Sequence, residues 1–315
     1  MYRPCGAFPS VASIKVKWEK LGRIFDPAGK AGWMVTHAAL PTPMHVGGDR
    51  YRIYCAGRDA QGRSQVGFFE IDLREPREVR AFSERPVLRL GDLGAFDDCG
   101  VMNTCLVRDG AKLFLYYVGM STAVTVPFRS FTGLAESTDG GHSFERVSRG
   151  PILPPDDIDP FLTAASFVRH TAAGWQMWYT SGTRWATGPP PQHYYHIKYA
   201  ESDEGKTWRK AGRVAVDFVN DDYAIARPWV LCDDDRWRMW YSHRGDAYRL
   251  GYAESGDGLA WRRMDHAVGI QTSAAGWDSE MICYASVFDH GGERFMLYNG
   301  NRYGLTGIGL ARLAR

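Results

Sequence analysis

The chain has 315 residues, 44% of them hydrophobic and 13% aromatic, so it is long enough to bury a large core. Its formal net charge is only +2 and like charges do not form long runs, which argues against a nucleic-acid or membrane partner and favours a small molecule. The N-terminus lacks the apolar core of a secretory signal, so we expect a cytoplasmic protein.

The six cysteines are scattered, and no C-x-x-C pair occurs among them. Structural zinc sites usually show short paired spacings, and secreted frameworks show regular ones. We therefore expect reduced, buried thiols, with no metal and no cofactor.

The first predicted element is a strand over residues 14–25. In the segment SIKVKWEKLGRIF, apolar Ile14, Val16 and Trp18 alternate with lysines, which is the period of a half-buried strand. Residues 1–12 are expected to be a loose tail.

One strand pattern then occurs five times along the chain. The copies are YRIYCAGR at 51, LFLYYVGM at 113, WQMWYTSG at 175, WRMWYS at 237 and RFMLYNGN at 294. Aligned on Tyr54, Tyr116, Tyr179, Tyr241 and Tyr298, they are separated by 62, 63, 62 and 57 residues. A period of about 60 residues without a helical pattern is typical of a β-propeller, in which each repeat is one antiparallel sheet.

Each repeat has the same order of segments. A short apolar strand is followed by a polar turn, the tyrosine strand, and a third strand such as HIKYAES at 196 or RLGYAES at 249. We predict an all-β, five-bladed propeller in a single domain, 1–315, with the strand at 14–25 closing the last blade. The predicted blades are 33–75, 97–147, 157–211, 221–264 and 278–313. A two-sheet sandwich is the alternative, but it would not require so regular a spacing.

In a propeller the start of each first strand lies on the same face as the end of the second strand. Acidic residues precede four of the first strands: Asp97, Asp98, Asp157, Asp159, Asp221, Asp222, Asp278 and Glu280. The first repeat has His37 instead. Basic residues follow the second strands: Arg58, Arg184, His243, Arg244 and Arg302. We therefore expect a channel mouth that collects both signs of charge.

Converging carboxylates raise one another's pKa, so that one can stay protonated while another is ionised. Acid/base work on a glycosidic bond needs this combination. The alternative is that each aspartate only caps its own turn. Two interpretations of Arg227 stay open: it forms an ion pair with Asp222, or it anchors a substrate hydroxyl or anion. Asp233 to Asp235 is predicted to be a solvated hairpin turn.

Two long loops, 119–132 and 182–196, are expected on the same face, either as substrate walls or as solvated loops. Trp185, Tyr194 and Tyr195 are candidates for stacking on sugar rings. Four other tryptophans are predicted to pack between blades: Trp175, Trp178, Trp237 and Trp240.

With this order of segments and the inner acids of FDDCGVMN and DDYAIARPWV, the chain resembles the five-bladed propeller glycosidases, the group of glycoside hydrolase families 32, 43, 68, 117 and 130. The resemblance covers about residues 14–313. It implies a catalytic acid, a base or nucleophile, and a third acid that tunes pKa. No W-x-N-D-P-N-G motif occurs in the first blade, and His37 stands where these enzymes often place their first acid.

Carried over by position, Asp98 resembles the second-blade acid. Glu280 looks like the proton donor, although it lies in the last blade and not the third, and Asp222 completes the catalytic set. His37, Arg58, Asp159, Arg227, His243, Arg244, Arg302 and Trp185 are then candidates for substrate binding. In the phosphorolytic family a cationic mouth binds phosphate, a role open to Arg58, Arg244 and Arg302. The Asp/Gly/aromatic turns also resemble those of the sialidases, but the arginine triad and tyrosine nucleophile of those enzymes have no match that we can place.

Three functions are carried forward from the sequence. The leading one is a glycoside hydrolase or transglycosylase acting on a small carbohydrate, the second is a glycoside phosphorylase, and the third is a non-catalytic carbohydrate-binding propeller. The third predicts carboxyl oxygens far outside the separation of about 5–9.5 Å that glycosidases use, or carboxylates fully consumed in ion pairs.

Overall fold

The computed structural model of the protein describes residues 16–172, 174–233 and 236–314. The predicted tail, 1–12, lies outside the described residues, as do Cys5, Asp234 and Asp235. The described cysteines are all free. No helix in the described part of the chain is both long enough and apolar enough to cross a bilayer.

The described residues form twenty strands and two short helical turns. In chain order the strands are β1 (Trp18–Phe25), β2 (Thr36–Gly47), β3 (Arg50–Arg58), β4 (Ser64–Asp72), β5 (Ala81–Phe82), β6 (Gly100–Asp109), β7 (Lys112–Thr122), β8 (Phe128–Ser137), β9 (Glu145–Arg146), β10 (Thr163–Thr171), β11 (Gly174–Ala186), β12 (Gln192–Ser202), β13 (Arg209–Val216), β14 (Ala224–Asp233), β15 (Arg236–Arg244), β16 (Tyr248–Ser255), β17 (Arg262–Arg263), β18 (Cys283–His290), β19 (Glu293–Asn299) and β20 (Ile308–Leu313). The helical turns are a 3-10 turn at Asp265–Ala267 and α1 at Asn301–Gly304.

The strands pair into antiparallel units, each in the order first, second, third and outer strand. Units 1 to 4 are β2 to β5, β6 to β9, β10 to β13 and β14 to β17. Units 1 and 2 are joined by a parallel bridge at Ser64 and Gly100, and units 3 and 4 by one at Tyr195 and Ala224. In unit 5, β18 pairs with β19, β19 with β20, and β20 with β1. The N-terminal strand is therefore the outer strand of the sheet that ends the chain.

The core lies between the faces of neighbouring units. One apolar cluster joins units 1 and 2, and others join units 2 and 3, units 3 and 4, and units 4 and 5. A further cluster packs Ile53 and Phe69 of unit 1 against Leu297 and Leu310 of unit 5. Because every sheet is covered on both faces, its strands are apolar on both sides.

Strand β15 illustrates how the sequence provides apolar side chains on both faces of a strand. Met239 and Tyr241 on one face pack toward unit 3, whereas Trp240 on the other face packs toward unit 5. The predicted packing of tryptophans between repeats agrees with these contacts, since the indole of Trp178 donates to the carbonyl of Gly258 in the next unit. Both faces of the WRMWYS strand are covered by neighbouring units. Its alternating side chains therefore contact two different units, and the alternation does not distinguish a core face from a solvent face.

The first strands lie side by side at the centre. Contacts run from β2 to β6, from β6 to β10, from β10 to β14, from β14 to β18, and from β18 back to β2. This arrangement brings residues that are far apart in sequence close to one another at the centre.

The predicted alignment of the repeat is wrong by one residue in units 1 and 2. The hydroxyls of Tyr54 and Tyr116 donate to turn carbonyls of the next unit, as the indole of Trp178 does. The residues equivalent to Tyr241 and Tyr298 are therefore Cys55 and Tyr117, each opposite a glycine of the third strand. Counted from Cys55 through Tyr117, Tyr179 and Tyr241 to Tyr298, the spacing becomes 62, 62, 62 and 57.

Candidate functional site

The candidate site lies where the first strands begin and the second strands end. Thr36 pairs with Arg58, Gly100 with Met120, and Ala224 with Arg244, so each hairpin presents both ends on one side. We call this surface the mouth.

A group of five tyrosines from units 3, 4 and 5 lines one side of the mouth. We call it the tyrosine wall, and it consists of Tyr195, Tyr223, Tyr248, Tyr284 and Tyr303. The hydroxyls of Tyr195 and Tyr248 are hydrogen-bonded to each other, and the ring of Tyr248 lies 5.8 Å from that of Tyr284 and 5.9 Å from that of Tyr303. Tyr284 and Tyr303 have φ values of 58° and 61°. Such left-handed backbone is strained for an aromatic residue and often marks functional sites.

Arg244 is held against this wall. Its Nη1 donates a 2.8 Å hydrogen bond to the hydroxyl of Tyr303, and its guanidinium carbon lies 5.4 Å from the ring centre of Tyr223. His193 stacks flat on Tyr195 with ring centres 4.9 Å apart, and the ring of Trp185 lies 5.6 Å from His193. The predicted site residues Arg244 and Trp185 are therefore connected through one aromatic surface.

His37, Arg58 and the backbone of Arg302 meet on the other side of the mouth. The pKa of His37 is lowered to about 4, mainly by burial and then by repulsion from Arg58, while a hydrogen bond with the Arg302 backbone acts in the opposite direction. Burial and then Arg244 likewise lower the pKa of His193 to about 4. Both imidazoles are therefore neutral near pH 7, and the arginines supply the positive charge.

An apolar floor lies beneath these groups. Leu40, Val118 and Ala165 are buried there, and Met120 and Tyr284 pack against them. The charged groups of the mouth thus stand on a surface of low polarity, where electrostatic interactions are stronger than in water.

The arginines at the mouth form no ion pair with an acidic residue in the part of the chain that the structure describes. Ion pairs in the described part of the chain join many other arginines to carboxylates, for example Arg52 to Glu70 and Arg263 to Asp222. None of those ion pairs involves the predicted cations Arg58, Arg184, Arg244 and Arg302. Arg184 instead covers the ring of Tyr194, with its guanidinium carbon 3.7 Å from the ring centre.

Asp222 and His243 are hydrogen-bonded to each other. Oδ1 of Asp222 lies 2.9 Å from Nδ1 of His243, and Oδ2 accepts a 2.8 Å hydrogen bond from Arg263. Burial raises the pKa of Asp222, but the hydrogen bonds from His243 and Arg263 outweigh it, so the pKa is lowered. Asp222 is therefore ionised, and its hydrogen bond occupies Nδ1 of His243.

Asp98 and Glu280 are placed differently. Asp98 is half-buried, and its carboxylate accepts a 2.9 Å hydrogen bond from the backbone N–H of Gly94, so it caps its own loop. Glu280 has an exposed side chain, and its backbone N–H donates to Asn301, next to the turn that carries Tyr303. Among the described residues no hydrogen bond or ion pair joins Asp98, Asp222 and Glu280.

The prediction that Asp159 binds substrate is wrong. Its side chain is 0% exposed and accepts hydrogen bonds from Tyr179 and Ser181, with Lys198 and Lys210 each 3.0 Å away. The carboxylate is consumed by these partners and cannot reach the mouth.

Two other predicted acids occupy equivalent positions. Asp97 accepts from Tyr117 and Arg146, and Asp278 accepts from Tyr298 and Lys20. In all three clusters the aspartate precedes its tyrosine by 20 residues. With the corrected alignment this spacing identifies the buried aspartates, so it is the signal that could have separated Asp97 from Asp98.

Both interpretations of Arg227 are wrong. The side chain is fully buried and binds no carboxylate among the described residues; it donates to the carbonyls of Thr104 and Pro41 and to the hydroxyls of Thr42 and Ser286. Burial lowers its pKa to about 10, so it remains charged at neutral pH. Arg227 therefore ties β14 to β2, β6 and β18 beneath the mouth and does not face a ligand.

The two predicted loops are shorter than expected. Strand pairing between β7 and β8 extends to Thr122 and Phe128, and pairing between β11 and β12 extends to Ala186 and Gln192. These extended hairpins, and not long loops, hold Trp185, Tyr194 and Tyr195 in place.

Most of the tyrosine wall was not predicted from the sequence. Tyr223, Tyr284 and Tyr303 lie next to a first-strand start or a second-strand end, which is the rule that selected the acids and arginines. Applying that rule to aromatic residues would have found them. In the described ranges no three His, Cys, Asp or Glu side chains are grouped so as to hold a metal ion.

No family model matches the chain. It is 44% identical over 297 residues to "Uncharacterized protein Rv1502" of Mycobacterium tuberculosis (strain ATCC 25618 / H37Rv), a match that covers 94% of this chain and 99% of that protein. The chain belongs to the Rv1502 family.

Several solved structures with a similar fold are described as glycoside hydrolases. One described as "Glycoside hydrolase" superposes with a TM-score of 0.75 at 19% identity, covering 94% of this chain and 92% of that one. A thermostable family-43 glycoside hydrolase superposes with a TM-score of 0.67 at 16% identity, covering 89% of each chain. The resemblance of this Rv1502-family protein to the propeller glycosidases is thereby confirmed at the level of the fold.

Proposed function

We propose that the protein acts on glycosidic bonds, as a hydrolase or transglycosylase, at the mouth. The proposal is carried by one arrangement: Glu280, whose side chain is exposed, is held through its backbone N–H to Asn301 of the turn that carries Tyr303, and the Tyr303 hydroxyl accepts a hydrogen bond from Arg244. Rings that can cover a sugar face and a carboxyl group suited to proton transfer are thus carried by neighbouring segments, on a fold shared with glycoside hydrolases.

We further propose that the five units are the blades of a propeller closed by β1. The order of the interfaces supports this arrangement, because unit 1 packs on unit 5 as well as on unit 2. The contacts among the five first strands support it too. In such a ring, acids before different first strands face a common space.

The proposed roles follow from the surroundings of each carboxylate. Glu280 donates the proton to the leaving oxygen. Asp222, whose lowered pKa keeps it ionised, stabilises positive charge that develops on the sugar or activates water. Asp98 is the third acid, and it would have to exchange its hydrogen bond with Gly94 for one with substrate.

The test is a panel of aryl glycosides turned over by the wild type and by two variants, Glu280→Gln and Asp98→Asn. We expect each variant to keep its fold and to lose about 10²- to 10⁴-fold in kcat, the usual contribution of a general acid or base. Glu84→Gln and Asp92→Asn remove exposed carboxylates elsewhere and serve as matched controls. Wild-type turnover by both Glu280→Gln and Asp98→Asn would contradict the assignment.

A glycoside phosphorylase is the second candidate. It is favoured by the arginines at the mouth that have no acidic partner, because phosphate is a suitable ligand for them. Turnover that requires inorganic phosphate would select this function over hydrolysis.

A non-catalytic carbohydrate-binding protein is the third candidate. It is favoured by the ion pairs that occupy Asp159 and Asp222. Binding of a sugar from the panel without turnover of any glycoside would select it.

A further inference from the structure

The mouth holds more positive charge than the protein neutralises. Arg58 closes β3 on one side, Arg244 closes β15 on the other, and neither forms an ion pair within the described residues. Asp222 precedes the hairpin that ends at Arg244, but it is paired with His243 and Arg263. A half-buried arginine without an acid beside it is costly, unless something else supplies the negative charge.

The tyrosine wall connects the two arginines. Tyr284 interacts electrostatically with Arg58, and its ring lies 5.8 Å from that of Tyr248. Tyr248 in turn lies 5.7 Å from the guanidinium carbon of Arg244. One row of rings therefore connects the surroundings of Arg58 with those of Arg244.

Arg244 is oriented before any ligand arrives. The hydrogen bond to Tyr303 and the rings of Tyr223 and Tyr248 fix its position, while a guanidinium has five N–H donors in total. A planar fork held in this way matches the two oxygens of a carboxylate, phosphate or sulfate.

Apart from the proposed catalytic acids Asp98, Asp222 and Glu280, the groups named at the mouth carry no negative charge that would oppose such an anion. His37 and His193 are neutral near pH 7, and the floor around Leu40 and Met120 is apolar. Attraction between a bound anion and the arginines is therefore weakly screened.

We propose that the mouth binds an anionic oxygen group, a carboxylate, phosphate or sulfate, between Arg58 and Arg244. In its leading form this inference rests on the proposed function and names the substrate class: glycosides whose sugar carries such a group. The same chemistry has a second source in free phosphate, which the experiment separates from the first.

The experiment compares matched pairs of nitrophenyl glycosides, each pair differing only in charge. The pairs are glucoside with glucuronide, galactoside with galacturonide, and each hexoside with its 6-phosphate. Binding is measured by calorimetry in the Glu280→Gln variant, and turnover is measured in the wild type. We expect the preferred charged compound to bind at least about tenfold more tightly than its neutral partner, as a charge-assisted hydrogen bond provides.

Variants of Arg244 assign this preference to the mouth. Arg244→Met should abolish the charge preference, and Arg244→Lys should keep part of it, because lysine retains the charge but not the planar fork. The matched control is Arg236→Met, at the opposite end of the same strand, where Arg236 pairs with Glu254 on the surface. Arg236→Met should keep the full preference, and thermal unfolding shows that all three variants fold.

Each result has one meaning. Inorganic phosphate that binds the wild type but not Arg244→Met supports the anion site and makes free phosphate its source. Charge preference in binding without turnover of any glycoside supports the anion site and contradicts the enzyme. The anion site is overturned if neutral glycosides bind as well as charged ones while neither phosphate nor sulfate binds, or if the preference survives in Arg244→Met.

Discussion

At the scale of single residues, the protein uses aspartates in two ways that look alike in sequence. Asp97 and Asp98 are neighbours, yet the first is buried under Tyr117 and the second caps an exposed loop. Both precede the same strand, so neither the residue type nor the position in the sequence predicts which of the two is buried. The difference lies in which residue the strand twist turns inward, and that is decided by cations from other strands, such as Arg146.

Asp159 should be a residue of stability and not of activity. We expect Asp159→Asn to lower the free energy of unfolding by about 3–5 kcal/mol, because it leaves Lys198 buried without its counter-charge and removes one of the carboxylates that pair with Lys210. Urea denaturation measures this loss. Asp157→Asn changes an exposed neighbour two residues away and should stay within about 0.5 kcal/mol of the wild type. Equal stability of the two variants would contradict the structural role.

The same cluster predicts a pH dependence. Burial raises the pKa of Asp159, but hydrogen bonds from Ser181 and Lys210 outweigh it, so the folded pKa lies below the unfolded value of 3.8. The stabilisation is therefore complete above about pH 4 and is lost as pH falls through the folded pKa. Urea midpoints measured downward from pH 6 should fall less steeply in acid for Asp159→Asn than for the wild type.

At the scale of elements, the sequence was sufficient to predict the repeated strands and their order. It was not sufficient for the register, because adjacent aromatic residues such as Tyr116 and Tyr117 both fit an apolar strand with two buried faces. Only their partners separate them: Tyr116 reaches Gly205 in the next unit, whereas Tyr117 stays over Gly133 in its own. Those partners are brought close by the fold and cannot be deduced from a strand pattern.

The glycine under each of these tyrosines is a further consequence of register. A methyl group at Gly251 would overlap the ring of Tyr241, so we expect Gly251→Ala to lower the free energy of unfolding by about 1–3 kcal/mol. Gly256, in the turn that follows β16, has open space around its Cβ position, and Gly256→Ala should be neutral. Thermal denaturation of the two variants compares them directly. Equal losses would contradict the pairing of Tyr241 with Gly251.

At the scale of the whole molecule, β1 brings the N-terminal part of the chain beside β20, the last strand. The amine of Lys20 lies 2.6 Å from the carboxylate of Asp278, which is 2% exposed and also accepts from Tyr298. The sequence predicted this strand from its alternation alone, but it contained no sign of the ion pair, since Lys20 looks like any solvated lysine.

Lys20→Met should therefore destabilise the entire protein. We expect a loss of about 2–3 kcal/mol in the free energy of unfolding, less than for a fully buried pair because Lys20 is 24% exposed. Chemical denaturation followed by tryptophan fluorescence measures it. Lys17→Met, which removes an exposed lysine just before the strand, should leave the midpoint unchanged. Indistinguishable midpoints for the two variants would show that the pair does not contribute.

The position of Arg227 limits how a ligand can pass through the centre of the molecule. Its side chain lies between the first strands and is hydrogen-bonded to three of them besides its own, so it obstructs the path between them beneath the mouth. Under the proposed function, a long polymer would then be approached from the mouth, at an end or a side branch, and would not be threaded through the molecule.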